Sequence, residues 1–259
     1  MSYNVRNIRN DNVPKGKILV YWLGGYGFML KFSNEKIICI DPYLSDCVER
    51  IAGFPRLSLA PLAAEEVNTD IYLITHEHPD HLDVDSFDAI AAKNPSCKIV
   101  AGKSCESFLK TKNVSPKIIA VGEDTQLDGI KIIAVPADHG SLCRDGIGFI
   151  IQFENRTIYF TGDTCLNEQL LMPAIKIKPE IIVPCINPKF GNLGEDGAAE
   201  LVKKCGAKIA IPSHFGLFAE HGGDPEIFKS FVNKLSPQTI VQIFAPGQGV
   251  EIMEKNDKI

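Results

Sequence analysis

The chain of 259 residues carries a net charge of −5 at pH 7, with a sequence pI near 5.7. A chain of this length buries a core without disulfide staples, and no linker or low-complexity tract divides it, which predicts a single domain over residues 1–259. The acidic balance offers no basic stripe that would neutralise phosphates, so nucleic acid is not expected as a partner.

Membrane and secretion signals are also missing from the sequence. No apolar run approaches the roughly 18 residues that a membrane span requires, and the polar start of residues 1–12 has no apolar signal region. The eight cysteines include no Cys-x-x-Cys pair, which indicates reduced thiols. We therefore predict a cytoplasmic protein without a membrane partner.

The predicted elements begin with an antiparallel meander. Its three β-rich segments are residues 18–23, 28–32 and 37–40. Helical patterns follow at residues 60–67 and 84–92. Strand patterns then return between residues 118 and 160, where Gly122, Gly129 and Asn155 interrupt them.

Helix and strand patterns alternate in the last hundred residues. The predicted helices are residues 165–175, 195–204 and 225–234, and the predicted strands are residues 181–183, 208–211 and 239–244. A strand-rich first part followed by alternating elements predicts an α/β fold (α+β in some schemes), with two sheets covered by helices.

One short run concentrates groups that bind metals. Residues 75–83 read Thr-His-Glu-His-Pro-Asp-His-Leu-Asp, directly after the apolar segment of residues 71–74. Imidazole nitrogens and carboxylate oxygens are ligands that zinc, manganese and iron accept. A His-x-His pair at a strand end directs two side chains towards one point, so His76 and His78 predict a metal site. Asp80 and His81 are placed to serve a second ion.

Two further histidines and one aspartate also follow apolar runs. His139 comes after residues 130–136, Asp163 after residues 157–162 and His214 after residues 209–213. Each position is a predicted strand exit. Rigid strand ends that converge on one cleft hold a site while the loops vary. We therefore expect these three side chains to join the histidine-rich run.

The His-x-His-x-Asp-His motif, with its downstream His, Gly-Asp and His, resembles the metallo-β-lactamase superfamily. Within it, the chain is similar to the L-ascorbate-6-phosphate lactonase group. The similar stretches are Tyr-Trp-Leu-Gly-Gly-Tyr-Gly-Phe at residues 21–28, Asp83 after the motif, Asn-Pro-Lys at residues 187–189, and Ile-Pro-Ser-His-Phe-Gly-Leu-Phe at residues 211–218 before Asp224-Pro225. This resemblance extends from about residue 17 to the C-terminus and implies a four-layer αβ/βα sandwich with metals at one edge.

The resemblance also implies a set of ligands for one or two divalent ions, Mn²⁺ or Zn²⁺. One ion would be held by His76, His78 and His139, and the other by Asp80, His81 and His214, with Asp163 as the bridge. Two ions about 3.5–4 Å apart lower the pKa of a shared water and supply a hydroxide nucleophile at neutral pH. Asp80, His81 and Asp163 are the predicted catalytic residues, and Asp80 can orient the hydroxide.

A different ligand set remains open at two positions. The lactonase group does not reliably keep a histidine where this chain has His139, so a mononuclear site with Asp138 as the nearer group is the alternative. Cys165 either approaches the metals or lies buried beside them. The resemblance places Asp41 beside the metals, and Asp83 is expected to act in the same way. Both would accept the outer N–H of a ligand histidine, with helix or turn capping as the alternative.

The predicted substrate is a small anionic molecule held by loops around the cleft. Lys189 stands where the resemblance places a basic residue, which can hold a phosphate or carboxylate. His221 lies among flexible glycines and is expected to contact the substrate or donate a proton from a mobile lip. Tyr26 is expected to line the same opening. The structural alternatives are a solvated lysine, a surface histidine and a core tyrosine.

These expectations favour a hydrolase of a phosphorylated or acidic lactone or ester. Histidine rather than glutamate at position 78 favours hydrolysis over diiron oxidation chemistry. A phosphodiesterase is the alternative enzyme, because relatives with the Asp83-extended motif cleave phosphodiesters. A metal-binding sensor without catalysis is the alternative from another class, although the complete ligand set argues against it. The sequence is compatible with a homo-oligomer.

Overall fold

The computed structural model describes residues 3–252. Strands in this range are β1 Tyr3–Asn4, β2 Ile18–Gly24, β3 Gly27–Phe32, β4 Ile37–Ile40, β5 Ile71–Ile74, β6 Lys98–Gly102, β7 Lys117–Ile119, β8 Asp124–Leu127, β9 Ile130–Pro136, β10 Ile147–Phe153, β11 Arg156–Phe160, β12 Ile181–Val183, β13 Ile209–Ala210, β14 Ile240–Val241 and β15 Gln248–Ile252. The α-helices are α1 Cys47–Ala52, α2 Phe87–Lys93, α3 Glu106–Leu109, α4 Glu168–Ile177, α5 Glu195–Cys205 and α6 Pro225–Leu235.

The strands form two mixed sheets. The first sheet has eight strands in the order β1-β15-β2-β3-β4-β5-β6-β7, and the second has seven in the order β14-β13-β12-β11-β10-β9-β8. Pairing is antiparallel from β1 to β4 and parallel from β4 to β7. In the second sheet it is antiparallel from β8 to β11 and parallel from β11 to β14. The parallel halves present several carboxyl strand ends at one edge.

Both faces of the first sheet are covered, as the sequence of β2 shows. Its side chains alternate between faces: Val20 and Trp22 enter the core between the sheets, whereas Leu19 and Tyr21 enter a second core with Phe87 of α2. Helices α4, α5 and α6 add apolar side chains to the core of the second sheet. The result is the predicted four-layer α/β sandwich.

Helix α5 illustrates how the predicted helices arise. Glu195 and Asp196 lie in its first turn, Lys203 and Lys204 in its last, and Gly206 ends it in a left-handed conformation at φ 66°. The acidic groups at the N-terminal end and the basic groups at the C-terminal end compensate the helix dipole and stabilise the helix. No helix within residues 3–252 has the length and apolar character needed to cross a bilayer.

Some predicted elements are wrong or displaced. The helix expected at residues 60–67 is only a 3₁₀ turn, Ala64–Glu66, because Ala63 within that range has extended backbone, with φ −79° and ψ 159°. The helix expected at residues 84–92 begins at Phe87, and the strand expected at residues 239–244 is limited to Ile240–Val241. Strand β15 was not predicted.

Candidate metal centre

All seven predicted ligands follow the carboxyl ends of strands and come together in one cluster. The turn after β5 supplies His76, His78, Asp80 and His81, while His139 follows β9, Asp163 follows β11 and His214 follows β13. The first sheet therefore contributes four side chains and the second contributes three. The structure brings these side chains together in three overlapping groups: His76, His78 and His139; His76, His81 and Asp163; Asp80, His81 and His214.

The ligand atoms of two groups converge closely. His76 Nε2 lies 3.0 Å from His78 Nδ1, and the ligand atoms of these two residues and His139 lie within 4.8 Å of one another. In the other group, His81 Nε2 lies 2.9 Å from His214 Nε2, and the latter is 3.3 Å from Asp80 Oδ2. These two groups have the composition that the family resemblance implies for two ions.

Asp163 stands between the two groups and directs one oxygen towards each. Its Oδ1 lies 3.3 Å from His81 Nε2 and 3.2 Å from His214 Nε2. Its Oδ2 lies 3.7 Å from His139 Nε2 and accepts a 2.7 Å hydrogen bond from Asn192 Nδ2. If both ligand groups held ions, Asp163 could contact both, which fits the bridging role that the resemblance implies. Sequence reasoning missed Asn192, which follows no strand or motif.

The donor set fits divalent ions of the zinc and manganese type. Imidazole nitrogens and carboxylate oxygens are the ligands that such ions accept. Among the described residues, Asp163 Oδ1 is buried with no donor facing it other than Nε2 of His81 and His214, and His139 Nδ1 is buried without a hydrogen-bond partner. Unpaired buried polar atoms are costly, and metal coordination would satisfy the carboxylate oxygen.

The cluster shifts the pKa values of its histidines in both directions. Burial lowers the pKa of His214, but Asp163 and Asp80 outweigh burial and raise this pKa to about 9. The same two carboxylates raise the pKa of His81 well above its usual value against the effect of burial. His76 is different, since burial and its neighbour His81 lower its pKa well below the usual value.

Asp41 lies beside the cluster, where the resemblance places it. It is buried, its Oδ2 lies 2.8 Å from His81 Nδ1, and it accepts hydrogen bonds from both the backbone N–H and the hydroxyl of Thr75. This contact leaves Nε2 of His81 to face the cluster. Asp41 and His214 are both held at positive φ, 42° and 62°. Such non-glycine conformations are strained and concentrate at functional sites.

Comparison with known proteins decides the family. A sequence profile described as Beta-lactamase superfamily domain matches residues 37–215, a range that contains all seven candidate ligands. The chain belongs to the metallo-β-lactamase superfamily. A UPF0173 metal-dependent hydrolase of Methanosarcina barkeri is 31% identical over 244 residues, which cover 91% of this chain and 99% of that protein. One of Thermococcus kodakarensis is 30% identical over 245 residues, with 91% and 100% coverage.

Solved structures show the same superfamily fold. The metallo hydrolase Igni18 of Ignicoccus hospitalis matches with a TM-score of 0.77 at 23% identity, covering 92% of this chain and 100% of that one. An isothiocyanate hydrolase from Delia radicum gut bacteria matches with a TM-score of 0.72 at 18% identity, covering 90% and 98%. Together with the sequence relatives, these findings identify a metal-dependent hydrolase of metallo-β-lactamase fold. The closer resemblance to the L-ascorbate-6-phosphate lactonase group stays a prediction.

Asp83, in contrast to Asp41, does not contact a ligand histidine among its described hydrogen bonds. Its carboxylate accepts five hydrogen bonds, from the backbone N–H groups of Leu44, Ser45, Asp85 and Ser86 and from the Ser45 hydroxyl. It therefore joins the segment after β4 to the turn before α2. The capping alternative describes Asp83, and the prediction that it orients a metal ligand is wrong.

Tyr26 also differs from its prediction. Its side chain is 1% exposed, and its hydroxyl accepts a 2.6 Å hydrogen bond from the backbone N–H of Gly162. The ring packs against His81 and His214, with centroids 5.2 Å and 5.8 Å away. Tyr26 therefore lies behind the ligand rings and does not line an opening. The core alternative is correct because the phenol hydroxyl finds backbone partners inside.

The structure separates Asp138 and Cys165 from the ligand groups. Asp138 accepts hydrogen bonds from Gly140 N–H and from the Asn167 side chain. Cys165 lies beside Asp138. Burial raises the pKa of its thiol, and the Asp138 carboxylate raises this pKa further. Neither residue belongs to a described cluster able to hold a metal. His139 occupies the position that the mononuclear alternative would have assigned to Asp138.

A cavity of about 190 Å³ opens over the cluster. Its apolar lining consists of Val48, Ala52, Phe54, Pro79, Leu142, Phe190 and Phe218, and its polar lining consists of His78, Asp80, His139, Asp163, Asn187 and His221. Among the described residues that line it, none is lysine or arginine. Lys189 is exposed and donates to the carbonyl oxygen of Ala219 at 3.2 Å. The neighbouring Phe190 lines the cavity instead.

Proposed function

We propose that this metal-dependent hydrolase cleaves small, uncharged carboxylic esters or lactones whose apolar part occupies the cavity. The observation that carries the proposal is that residues of the seven-residue cluster share one cavity with an aromatic and aliphatic wall. An attached phosphate would meet no lysine or arginine of that wall. The proposal keeps the lactonase or esterase activity expected from the sequence and replaces the anionic substrate with an apolar one.

Ions bound by the two ligand groups would supply a water of lowered pKa and would polarise the scissile carbonyl. Asp80 borders the cavity, where its carboxylate can accept a hydrogen bond from the attacking water and orient it. Asp163 contacts both ligand groups. Asp41 holds the ring of His81 in its orientation through the contact with Nδ1. The apolar wall holds the acyl or alcohol part and limits the access of bulk water.

A substrate panel tests the proposal. Protein loaded with Mn²⁺ or Zn²⁺ is assayed with p-nitrophenyl butyrate, an uncharged γ-lactone, a phosphorylated sugar lactone and bis-p-nitrophenyl phosphate. We expect kcat/KM to be at least ten times higher for an uncharged ester or lactone than for either phosphorylated compound. A tenfold preference for the diester would support a phosphodiesterase. Absence of all hydrolysis by folded, metal-loaded protein would support a sensor.

A further inference from the structure

His221 occupies an unexpected place for a histidine in a glycine-rich loop. The sequence suggested a mobile lip, yet the residue is 3% exposed. Its ring lies edge-on to Phe218 and Phe190, with centroids 4.8 Å and 5.9 Å away. The adjoining loop is fixed by Gly223, which has φ +82° and where any Cβ would meet the carbonyl oxygen of Ile186. His221 nevertheless borders the cavity. Its ring is therefore held in place by its neighbours and is still within reach of a molecule in the cavity.

The contact between His221 and His214 links the hydrogen positions of the two rings, because only one of the two facing nitrogens can accept while the other donates. His214 Nε2 faces Asp80, His81 and Asp163. With an ion bound at that atom, the ring hydrogen of His214 would lie on Nδ1. That N–H has His221 Nδ1 at 3.2 Å. His221 Nδ1 must therefore accept, and in a neutral ring the remaining hydrogen lies on Nε2.

The Nε2–H of His221 is left with no close acceptor inside the cluster. The nearest described carboxylate atom, Asp80 Oδ2, is 3.6 Å away, which is beyond a good hydrogen bond. The same oxygen already faces His214 Nε2 at 3.3 Å. The outer N–H of His221 is therefore available to a molecule in the cavity, next to the carboxylate that orients the attacking water.

We propose that His221 donates its Nε2–H to the substrate oxygen on which negative charge develops, while its Nδ1 holds the ligand ring of His214. This inference rests on the proposed esterase or lactonase activity, because the oxygen belongs to that substrate. A donor placed in advance at such an oxygen stabilises the transition state more than the ground state. No proton needs to leave His221, so the role is that of a fixed hydrogen-bond donor.

Two isosteric variants separate the donor role from a merely structural one. In His221→Gln, the amide nitrogen replaces Nε2 and keeps the outer donor. In His221→Asn, the amide oxygen replaces Nδ1 and keeps the contact with His214, but the outer donor is lost. With saturating metal, we expect His221→Asn to lower kcat about 100-fold and His221→Gln to stay within about tenfold of wild type. Metal content by elemental analysis is expected to be retained by His221→Asn. Full activity of His221→Asn with loss in His221→Gln would overturn the donor role.

A readout independent of activity keeps the inference testable if either variant misfolds or no ester is cleaved. The ¹⁵N shifts of the histidine rings in Zn²⁺-loaded wild type report which ring nitrogen carries each hydrogen. We expect His221 to be protonated on Nε2 alone and His214 on Nδ1. A hydrogen on Nδ1 of His221 would overturn the inference. The expected tautomers without any ester hydrolysis would instead show that the proposed substrate class is wrong.

Discussion

The two oxygens of Asp163 face different ligand groups, so a change of this carboxylate should affect both groups at once. Asp163→Asn removes the charge and replaces one of those oxygens with a nitrogen. We expect this variant to lose most bound metal, with turnover reduced at least 1000-fold, because buried cations need compensating charge. Elemental analysis and ester hydrolysis check the outcome. Asp138→Asn is the matched control, since Asp138 lies nearby and outside the ligand groups. Equal metal loss in both variants would contradict the assignment of the bridge.

The wall of the cavity predicts a second pair of results. Phe190→Ala removes an aromatic surface from the cavity lining, whereas Lys189→Ala removes a charge from a side chain that points to Ala219. For an uncharged ester, we expect Phe190→Ala to raise KM about tenfold, within the range that small apolar differences produce. Lys189→Ala should leave both kcat and KM near wild type. The opposite pattern would restore the anionic substrate that the sequence suggested.

The raised pKa values of His214 and His81 predict that metal uptake releases protons. At pH 7.5 a histidine with a pKa of about 9 is mostly protonated in the metal-free protein, and it must lose that proton to bind a cation. We expect about one or more protons to be released for each protein loaded, with release falling to zero well above pH 9. Calorimetric titration at pH 7.5 in buffers of different ionisation enthalpy measures this number. Enthalpies that do not depend on the buffer would contradict the prediction.

At the scale of elements, the ligands depend on how each strand ends. Gly162 connects β11 to Asp163 at φ +65°, and a Cβ there would meet the carbonyl oxygen of Ile147. Gly206 has a similar φ of +66° with open space around it. We expect Gly206→Ala to cost about 1–2 kcal/mol of unfolding free energy from backbone conformation alone. Gly162→Ala should cost about 2–5 kcal/mol because the clash is added.

Urea unfolding and metal analysis of the two glycine variants test this argument together. Gly162→Ala should also bind metal more weakly, because any relief of the clash displaces the adjacent bridge Asp163. Gly206→Ala lies at the end of α5 and should keep normal metal affinity. If the two variants lost the same stability and bound metal equally, the geometry of the strand end would not control the site.

The strand ends also explain which parts of the site could be predicted from sequence. His76, His139 and Asp163 follow apolar runs, and a run followed by a metal-binding side chain is visible without a structure. The contacts of Asp83, Tyr26 and Asn192 depend on which loops meet in space, so no local pattern indicated them. His221 shows the same limit, because its burial comes from aromatic rings at residues 190 and 218.

At the scale of the whole molecule, the two covered sheets could be predicted from the sequence. The pairing of the last strand, β15, with the first strands could not. The opening meander and the later alternation of helix and strand indicated two covered sheets. Strand β15, however, inserts between β1 and β2 and pairs Val250 with Val20. That contact joins residues 230 positions apart (250 − 20). Glycine and glutamate within Gln248–Ile252 weaken its strand pattern. The sequence therefore did not indicate that this segment pairs with residues so far away along the chain.

Because the two sheets supply different ligands, metal binding should connect them and stabilise the entire fold. An ion present at 100 times its dissociation constant adds about 2.7 kcal/mol to the free energy of unfolding. In a domain of this size, each kcal/mol shifts the melting temperature by about 2–4 °C. We therefore expect chelation to lower Tm by about 5–10 °C, while far-ultraviolet circular dichroism below the transition stays unchanged. Calorimetry of loaded and chelated wild type measures the shift, with Asp163→Asn as a control that should not respond to chelator. Equal melting temperatures for loaded and chelated wild type would show that the cluster does not join the sheets through metal.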